Sequence, residues 1–183
     1  MNAKDKVRLS KFLSLVLRHD PGAIGIELDA NGWTSVAELI DKAAAKDQRF
    51  DVEDLRSIVR ESDKQRFAMS DDGSRIRANQ GHSVEVELGY GPSEPPTKLY
   101  HGTATHYLEA ILAQGLIKGA RHHVHLLADS ETALKVGQRH GKPAILRVDS
   151  GSMHRSGIVF YRSANGVWLT DHVPPGFLQL EVQ

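Results

Sequence analysis

A short stretch rich in proline and glycine divides this 183-residue chain near its middle. The segment from Leu88 to Thr97 reads LGYGPSEPPT and holds two glycines and three prolines. Proline cannot donate a backbone hydrogen bond and glycine tolerates many backbone conformations, so a regular helix or strand does not run through such a stretch. The chain is therefore predicted to form two lobes joined by a linker, residues 1–90 and residues 91–183.

The apolar spacing before the linker predicts three helices. Apolar residues recur at helical spacing over residues 9–17, and Pro21 ends that helix because proline pushes the preceding residue out of the α region. A Ser-x-x-Glu capping box at Ser35 opens a second predicted helix. Residues 52–59 carry the apolar pattern of a third helix.

A predicted hairpin follows the three helices. Residues 66–69 and 75–77 alternate like two strands around a turn at residues 71–73, and residues 25–28 are predicted to form a further short strand. Three helices followed by a hairpin is the layout of a winged helix.

Beyond the linker, short strand-like stretches alternate with helices. A glycine, Gly115, stops the first of these helices. The predicted helices are residues 107–114 and 130–137, and the predicted strands are residues 99–101, 123–127, 144–148, 158–161 and 167–170. The second lobe is therefore predicted to be mixed α+β with mostly antiparallel strands.

The composition excludes several classes of protein. Lys and Arg number 23 and Asp and Glu also number 23, which argues against a polybasic protein held to nucleic acid over a broad surface. The chain has no cysteine, so disulfide frameworks and thiol nucleophiles are excluded. No apolar run approaches the ~18 residues of a membrane span, and the first ten residues lack the apolar core of a signal peptide. We therefore expect a soluble cytoplasmic protein.

Arg18 and His19 end the first predicted helix. The helix dipole favours cations there, so a capping pair is the simpler interpretation. The alternative is an anion site, because arginine offers a two-pronged donor to phosphate and histidine titrates near neutral pH. Arg66, at the start of the hairpin, would join such a site from a different element.

His101, Gly102 and Thr103 stand where a predicted strand turns into a helix. Backbone N–H groups at such a turn suit a pyrophosphate, and Gly102 permits close approach of a ligand. The other two side chains can bond ribose hydroxyls. Three residues are a weak motif on their own.

His123 and His125 alternate along a predicted strand and so face the same side of it. One interpretation is a metal site, which the absence of cysteine and of paired carboxylates disfavours. The other is a cleft in which Arg121 reaches an anion. We predict no metal.

Nine stretches, in order along the chain, resemble one enzyme family. They are SKFLSLVLRHDP, GWTSVAELI, SDKQRFAMS, IRANQGHS, LYHGT, GLIKGARHHVHL, VGQRHG, PAILRV and NGVWLTDHVP. The resemblance is to the NAD-dependent RNA 2′-phosphotransferases, the tRNA 2′-phosphotransferase family, and it spans nearly the whole chain. It implies an α+β fold in which an N-terminal winged-helix lobe that binds RNA precedes a C-terminal, NAD-binding lobe of the ADP-ribosyltransferase fold.

The resemblance also implies a reaction. An internal RNA 2′-phosphate attacks C1″ of the nicotinamide ribose of NAD⁺ and expels nicotinamide, and ribose O2″ then attacks the phosphorus. The products are RNA with a 2′-hydroxyl, ADP-ribose 1″,2″-cyclic phosphate and nicotinamide. The implied partners are therefore NAD⁺ and RNA with an internal 2′-phosphate, with no metal, membrane or protein partner.

By the same resemblance, the residues that handle the phosphate are Arg18, His19, Arg66 and Arg121. Preorganised guanidinium groups would hold the phosphate dianion and stabilise the charge that develops on it. Arginine does not act as a base, so proton transfer would fall to His19.

The resemblance places NAD on the second lobe. Val167 takes a position that is acidic in relatives that modify proteins, which suits a phosphate nucleophile that needs no activating carboxylate. The implied NAD-binding residues are His101, Gly102, Thr103, His125, Asp129, Gly137, Arg139 and Val167.

Two other functions stay open. One is a non-catalytic winged-helix binder of nucleic acid, although the third predicted helix starts with the acidic stretch DVED, at the end that would meet the groove. The other is an ADP-ribosyltransferase that acts on terminal phosphates of nucleic acid. Release of both nicotinamide and the cyclic phosphate would distinguish the phosphotransferase from either.

Overall fold

The computed structural model describes residues 1–62 and 65–181. The chain forms two compact units that meet in sequence between Gly89 and Tyr90. Each unit combines helices with small antiparallel sheets, so the expected α+β class is confirmed at that level. Asp63 and Lys64 of the SDKQRFAMS stretch lie outside the described residues. No helix in the described ranges is long and apolar enough to cross a membrane.

The described residues of the first unit include three α-helices, each with a side-chain cap at its N-terminus. The side chains of Asn2, Ser35 and Asp51 each accept a hydrogen bond from a backbone N–H of the first turn, which satisfies donors that have no partner within the helix. The predicted end of the first helix before Pro21 and the N-cap at Ser35 are confirmed. The helices are α1 (Ala3–Arg18), α2 (Val36–Ala44) and α3 (Val52–Glu61).

The sheet of the first unit contains the predicted hairpin and one additional strand. Its strands are β1 (Thr34–Ser35), β2 (Phe67–Met69) and β3 (Arg75–Ala78), in the antiparallel order β1-β3-β2. The strand predicted over residues 25–28 is wrong. A 3-10 turn at Pro21–Ala23 binds the backbone N–H groups of Gly25 and Ile26, so they do not enter a sheet.

The core of the first unit holds the end of α1 against the hairpin. Each fully buried aliphatic side chain contributes about 1.5–3 kcal/mol. This packing fixes the helix end that carries Arg18 and His19. The fully buried residues include Leu13, Val16 and Leu17 of α1, Leu39 of α2, Leu55 of α3 and Ile76 of β3.

The described residues of the second unit form three antiparallel sheets, with strand orders β11-β7-β4, β6-β9-β8 and β10-β5. Its strands are β4 (Leu99–Ala104), β5 (Leu116–Ile117), β6 (Val124–Leu126), β7 (Pro143–Val148), β8 (Phe160–Arg162), β9 (Trp168–Thr170), β10 (His172–Val173) and β11 (Leu178–Glu181). Its helices are α4 (Leu108–Gln114), α5 (Ser130–Gly137) and α6 (Ser150–Arg155). The two predicted helices are confirmed.

Two local features bring β4, β5 and β6 close together. Tyr100 and Leu127 exchange two backbone hydrogen bonds of 2.8 Å, which place β4 beside the end of β6. Gly115 turns the chain from α4 into β5 at a φ of 86°, and a Cβ there would lie 2.1 Å from the Val173 carbonyl oxygen. Only glycine fits that turn.

Candidate functional site

A cavity of about 260 Å³ opens in the second unit beside β4, β5 and β6. Three of the predicted site residues, His101, Arg121 and His125, line it together. The lining combines polar groups with apolar side chains, a composition typical of small-molecule sites. The polar side chains include Gln114, Lys118 and His123, and the apolar ones include Ile111, Leu116 and Val124.

A backbone carbonyl sets the state of the His101 ring. His101 Nδ1 lies 3.0 Å from the carbonyl oxygen of His125, and because a carbonyl only accepts, Nδ1 carries the proton. Burial lowers the pKa of His101, and the positive charge of Arg121 lowers it further against the opposing hydrogen bond. The ring is therefore neutral near pH 7 and offers a lone pair at Nε2.

The His125 ring is held by Arg121. Arg121 Nη1 donates to His125 Nδ1 over 3.2 Å. A guanidinium has donors only, so Nδ1 accepts and the neutral ring carries its proton on Nε2. The two histidines thus offer opposite atoms to a ligand, an acceptor at His101 and a donor at His125.

His123, the residue before β6, adds a third imidazole to the cavity lining. Burial lowers the pKa of His123, and the charges of His122 and Lys118 act in the same direction. Its ring centroid lies 5.5 Å from that of Tyr161. In the part of the chain that the structure describes, no group of three or more His, Asp or Glu side chains is placed to hold a metal ion.

Gly102, Thr103 and Gly137, which sequence reasoning assigned to the cofactor, lie where α5 packs on β4. A Cβ on Gly102 would lie 1.8 Å from the Ala133 carbonyl oxygen, and one on Gly137 would lie 2.6 Å from that of Thr103. Thr103 is buried. The close approach that Gly102 permits is therefore one between β4 and α5.

The other predicted cofactor residues occupy three separate places. Asp129 caps α5 by accepting from the Thr132 N–H over 2.7 Å, Arg139 is exposed just after that helix, and the N–H of Val167 donates to Ser163 Oγ over 3.0 Å. Among the described residues, those that line the cavity with His101 do not include these three.

In the first unit, Arg18 and Arg66 are joined through a backbone group. Arg18 Nη2 donates to the Arg66 carbonyl over 3.3 Å, and the Arg18 guanidinium lies 5.6 Å from the centre of the Phe67 ring. The N–H of Asn79 donates to the same carbonyl over 2.9 Å. Arg66 Nη1 in turn donates to Ser10 Oγ over 3.4 Å. The end of α1 and the start of β2 are thus connected.

His19 is the C-cap of α1 and is exposed, and its Nδ1 lies 2.9 Å from Ser83 Oγ. Sequence reasoning missed Ser83 and Asn79, because polar residues in an irregular segment carry no periodic signal. Both residues lie in the stretch IRANQGHS, which resembles the enzyme family, but the resemblance assigned no role to either of them.

Residues 4–172 match the model of a family described as RNA 2′-phosphotransferase, Tpt1 / KptA family. Curated relatives align over nearly their full length. The chain is 59% identical to the "Probable RNA 2'-phosphotransferase" of Agrobacterium fabrum over 169 residues, which are 92% of this chain and 91% of that protein.

Two further relatives carry the same name. The protein of Flavobacterium johnsoniae is 52% identical over 181 residues, 99% of this chain and 100% of the relative. The protein of Hahella chejuensis is 56% identical over 171 residues, 93% of this chain and 92% of the relative.

Proposed function

This chain belongs to the RNA 2′-phosphotransferase, Tpt1 / KptA family, and we propose that it is a cytoplasmic transferase that removes an internal 2′-phosphate from RNA at the expense of NAD⁺. The observation that carries the proposal is the extent of the family match. Residues 4–172 include every residue of two clusters: the first comprises Arg18, His19 and Arg66 with their contacts in the first unit, and the second comprises the residues that line the cavity in the second unit. A binding module that had kept only the first lobe would not preserve the second cluster.

The finer fold assignment is part of this proposal. We assign residues 1–90 to a winged-helix lobe that binds RNA, which the order of three helices followed by the β2–β3 hairpin supports. We assign residues 91–183 to an ADP-ribosyltransferase-like lobe that binds NAD, which the small antiparallel sheets around the cavity support.

NAD⁺ is consumed in the proposed reaction and supplies an electrophilic C1″ with nicotinamide as its leaving group. The cavity fits one end of the NAD⁺ molecule. Its apolar side chains suit a flat heteroaromatic ring, and His101 and His125 suit ribose hydroxyls. His101 Nε2 would accept from one hydroxyl and His125 Nε2 would donate to another. Gly102, Thr103, Asp129, Gly137, Arg139 and Val167 remain proposed contacts along the rest of the molecule.

The RNA 2′-phosphate is proposed to bind Arg18, His19, Arg66 and Arg121. The arginines would hold the dianion for attack on C1″, a step for which the phosphate is already an anionic nucleophile. In the second step the same guanidinium groups would stabilise charge on the phosphoryl oxygens. His19 would take the proton from ribose O2″ and return it to the departing 2′-oxygen of the RNA, so the ring ends the step unchanged.

The proposal is tested by products. A short RNA with one internal 2′-phosphate is incubated with the enzyme and NAD⁺, and the mixture is analysed by mass spectrometry. We expect RNA with a 2′-hydroxyl, nicotinamide and ADP-ribose 1″,2″-cyclic phosphate in equal amounts, and no reaction of the same RNA without its 2′-phosphate.

Other outcomes would point to other functions. A non-catalytic binder of nucleic acid would release neither nicotinamide nor the cyclic phosphate. An ADP-ribosyltransferase that acts on terminal phosphates would release nicotinamide, leave the internal 2′-phosphate in place and modify an RNA with a terminal phosphate. Either result overturns the proposal.

A further inference from the structure

An irregular segment after β3 contacts the C-terminal end of α1 within the first unit. The backbone N–H groups of Ser83 and Val84 donate to the carbonyl of Arg18 over 2.8 and 3.3 Å. Carbonyls in the last turn of a helix have no partner within the helix, so these bonds satisfy one of them. The residue immediately before His19 is thereby held from outside the helix.

The Ser83 side chain continues this contact to the His19 ring. Ser83 Oγ lies 2.9 Å from His19 Nδ1 and 3.5 Å from the Arg18 carbonyl oxygen. When Nδ1 of His19 carries the proton it donates to Ser83 Oγ, and the hydroxyl proton of Ser83 is then directed at the Arg18 carbonyl, which only accepts. Nε2 of His19 then carries the lone pair that a general base needs.

We infer that Ser83 is a positioning residue for His19, which holds the ring so that Nε2 is the atom that exchanges the proton in the second step. The inference rests on the proposed function. The bond from Nδ1–H to Ser83 Oγ persists when Nε2 takes the proton from O2″ and when it releases that proton to the RNA oxygen. The ring therefore keeps its orientation throughout the step. In serine hydrolases, a carboxylate that orients the catalytic histidine plays the corresponding part.

Substitution of Ser83 separates this role from a structural one. The two backbone bonds to the Arg18 carbonyl remain in Ser83→Ala, which removes only the hydroxyl and its contacts. We expect Ser83→Ala to slow the decay of ADP-ribosylated RNA about three- to tenfold, the effect of losing one hydrogen bond. The KM values for NAD⁺ and RNA stay unchanged, and Ser83→Thr, which keeps the hydroxyl, restores the rate.

The matched control is Ser57→Ala in the same unit. Ser57 Oγ also makes a side-chain hydrogen bond of 2.9 Å, to Glu61, and lies on α3 outside the proposed machinery. This variant should leave the rate unchanged. A rate for Ser83→Ala equal to that of the wild type, with products still formed, overturns the inference but not the proposed function. Absence of the cyclic phosphate with wild-type enzyme overturns the proposed function itself.

Nuclear magnetic resonance gives a readout independent of turnover. Two-bond proton–nitrogen correlations, recorded where the ring is neutral, report which nitrogen of His19 carries the proton. We expect the Nδ1–H form to dominate in the wild type and in Ser83→Thr, and the Nε2–H form to increase in Ser83→Ala. An identical distribution in all three proteins contradicts the role of Ser83.

Discussion

His101 and His125 differ in chemistry although both are histidines that line one cavity. The difference comes from what each ring contacts: a carbonyl oxygen that can only accept, and a guanidinium that can only donate. Sequence reasoning identified both residues and Arg121. It did not predict their tautomers, because that of His101 depends on a carbonyl 24 positions along the chain and that of His125 on which ring nitrogen the Arg121 guanidinium reaches.

The lowered pKa of His101 predicts a pH dependence of stability. Its ordinary value is 6.5 and burial lowers it in the folded state, so the unfolded chain binds more protons in the window just below 6.5. Stability from the neutral ring is therefore present above about pH 6.5 and is lost as the pH falls through the folded pKa. We expect the stability difference between wild type and His101→Asn to shrink between about pH 7.5 and about pH 5.

Urea unfolding at the two pH values measures this difference. His106→Asn, which changes an exposed histidine of the same unit outside the cavity, should follow the wild type at both values. A difference for His101→Asn that does not change with pH would show that its ring does not couple folding to protonation.

Loss of the Arg66 side chain is predicted to slow the second step of the reaction more than the first. The first step needs only orientation, whereas the second develops charge on phosphoryl oxygens, so Arg66→Ala should slow the second step by roughly 10²–10³-fold. Quenched time courses analysed by mass spectrometry should then show ADP-ribosylated RNA accumulating. Arg60→Ala, which removes an exposed arginine of α3, is the control. Time courses of Arg66→Ala that show only unreacted RNA would count against the assigned role.

At the scale of elements, the packing of α5 on β4 has a strict steric requirement. Gly102 and Gly137 face backbone atoms of the opposing element at distances that leave no room for a methyl group. Sequence reasoning noted both glycines and attributed them to a ligand. A glycine that approaches a helix and one that approaches a phosphate give the same sequence pattern, so the pattern did not predict the packing of α5 on β4, and the contact of these glycines with NAD stays a prediction.

Gly102→Ala should therefore destabilise the second unit by about 3 kcal/mol, the upper end of the usual cost of overpacking, since the added carbon would lie 1.8 Å from a backbone oxygen that cannot move without the helix. Gly176→Ala is the matched control, because its Cβ would have no neighbour within 4 Å. Denaturant unfolding of the two variants measures the difference. A Gly102→Ala protein as stable as the control would mean that α5 lies farther from β4.

The elements that sequence reasoning predicted correctly have a clear apolar period or strong end signals. Both hold for α1, which buries four residues at helical spacing and ends before Pro21. The two-residue strands β5 and β10 are too short to show any period. The helix α6 begins with Ser-Gly-Ser, which disfavours a helix, and depends on the Asp149 cap and burial of Met153.

At the scale of the whole molecule, the zero net charge restricts how RNA can be held. A protein that neutralises many phosphates releases many counterions, and its affinity falls steeply with salt. Here three arginines and one histidine are proposed to bind a single dianion. The remaining surface need not be basic for that, so recognition is expected to depend on one 2′-phosphate and a few neighbouring nucleotides.

This predicts a weak salt dependence of RNA binding. For single strands the logarithmic slope is about −0.7 per phosphate contact, so we expect a slope no steeper than about −3. Fluorescence anisotropy of a labelled oligonucleotide between low and physiological salt measures it, with the RNA lacking its 2′-phosphate as the control. A slope equivalent to many contacts would show that RNA lies along an extended surface.

The place of β11 in the sheet of the second unit bears on how the protein is made. β11 pairs with β7 over four residues, and Leu178 of β11 is buried in the hydrophobic core of the second unit. The core of the second unit is therefore incomplete until β11 has left the ribosome. In the part of the chain that the structure describes, the core of the first unit is built from residues up to Ala78. At synthesis rates of about 5–20 residues per second, its residues emerge several seconds earlier. We expect the first unit to fold during synthesis, while the second exposes its unfinished sheet to chaperones.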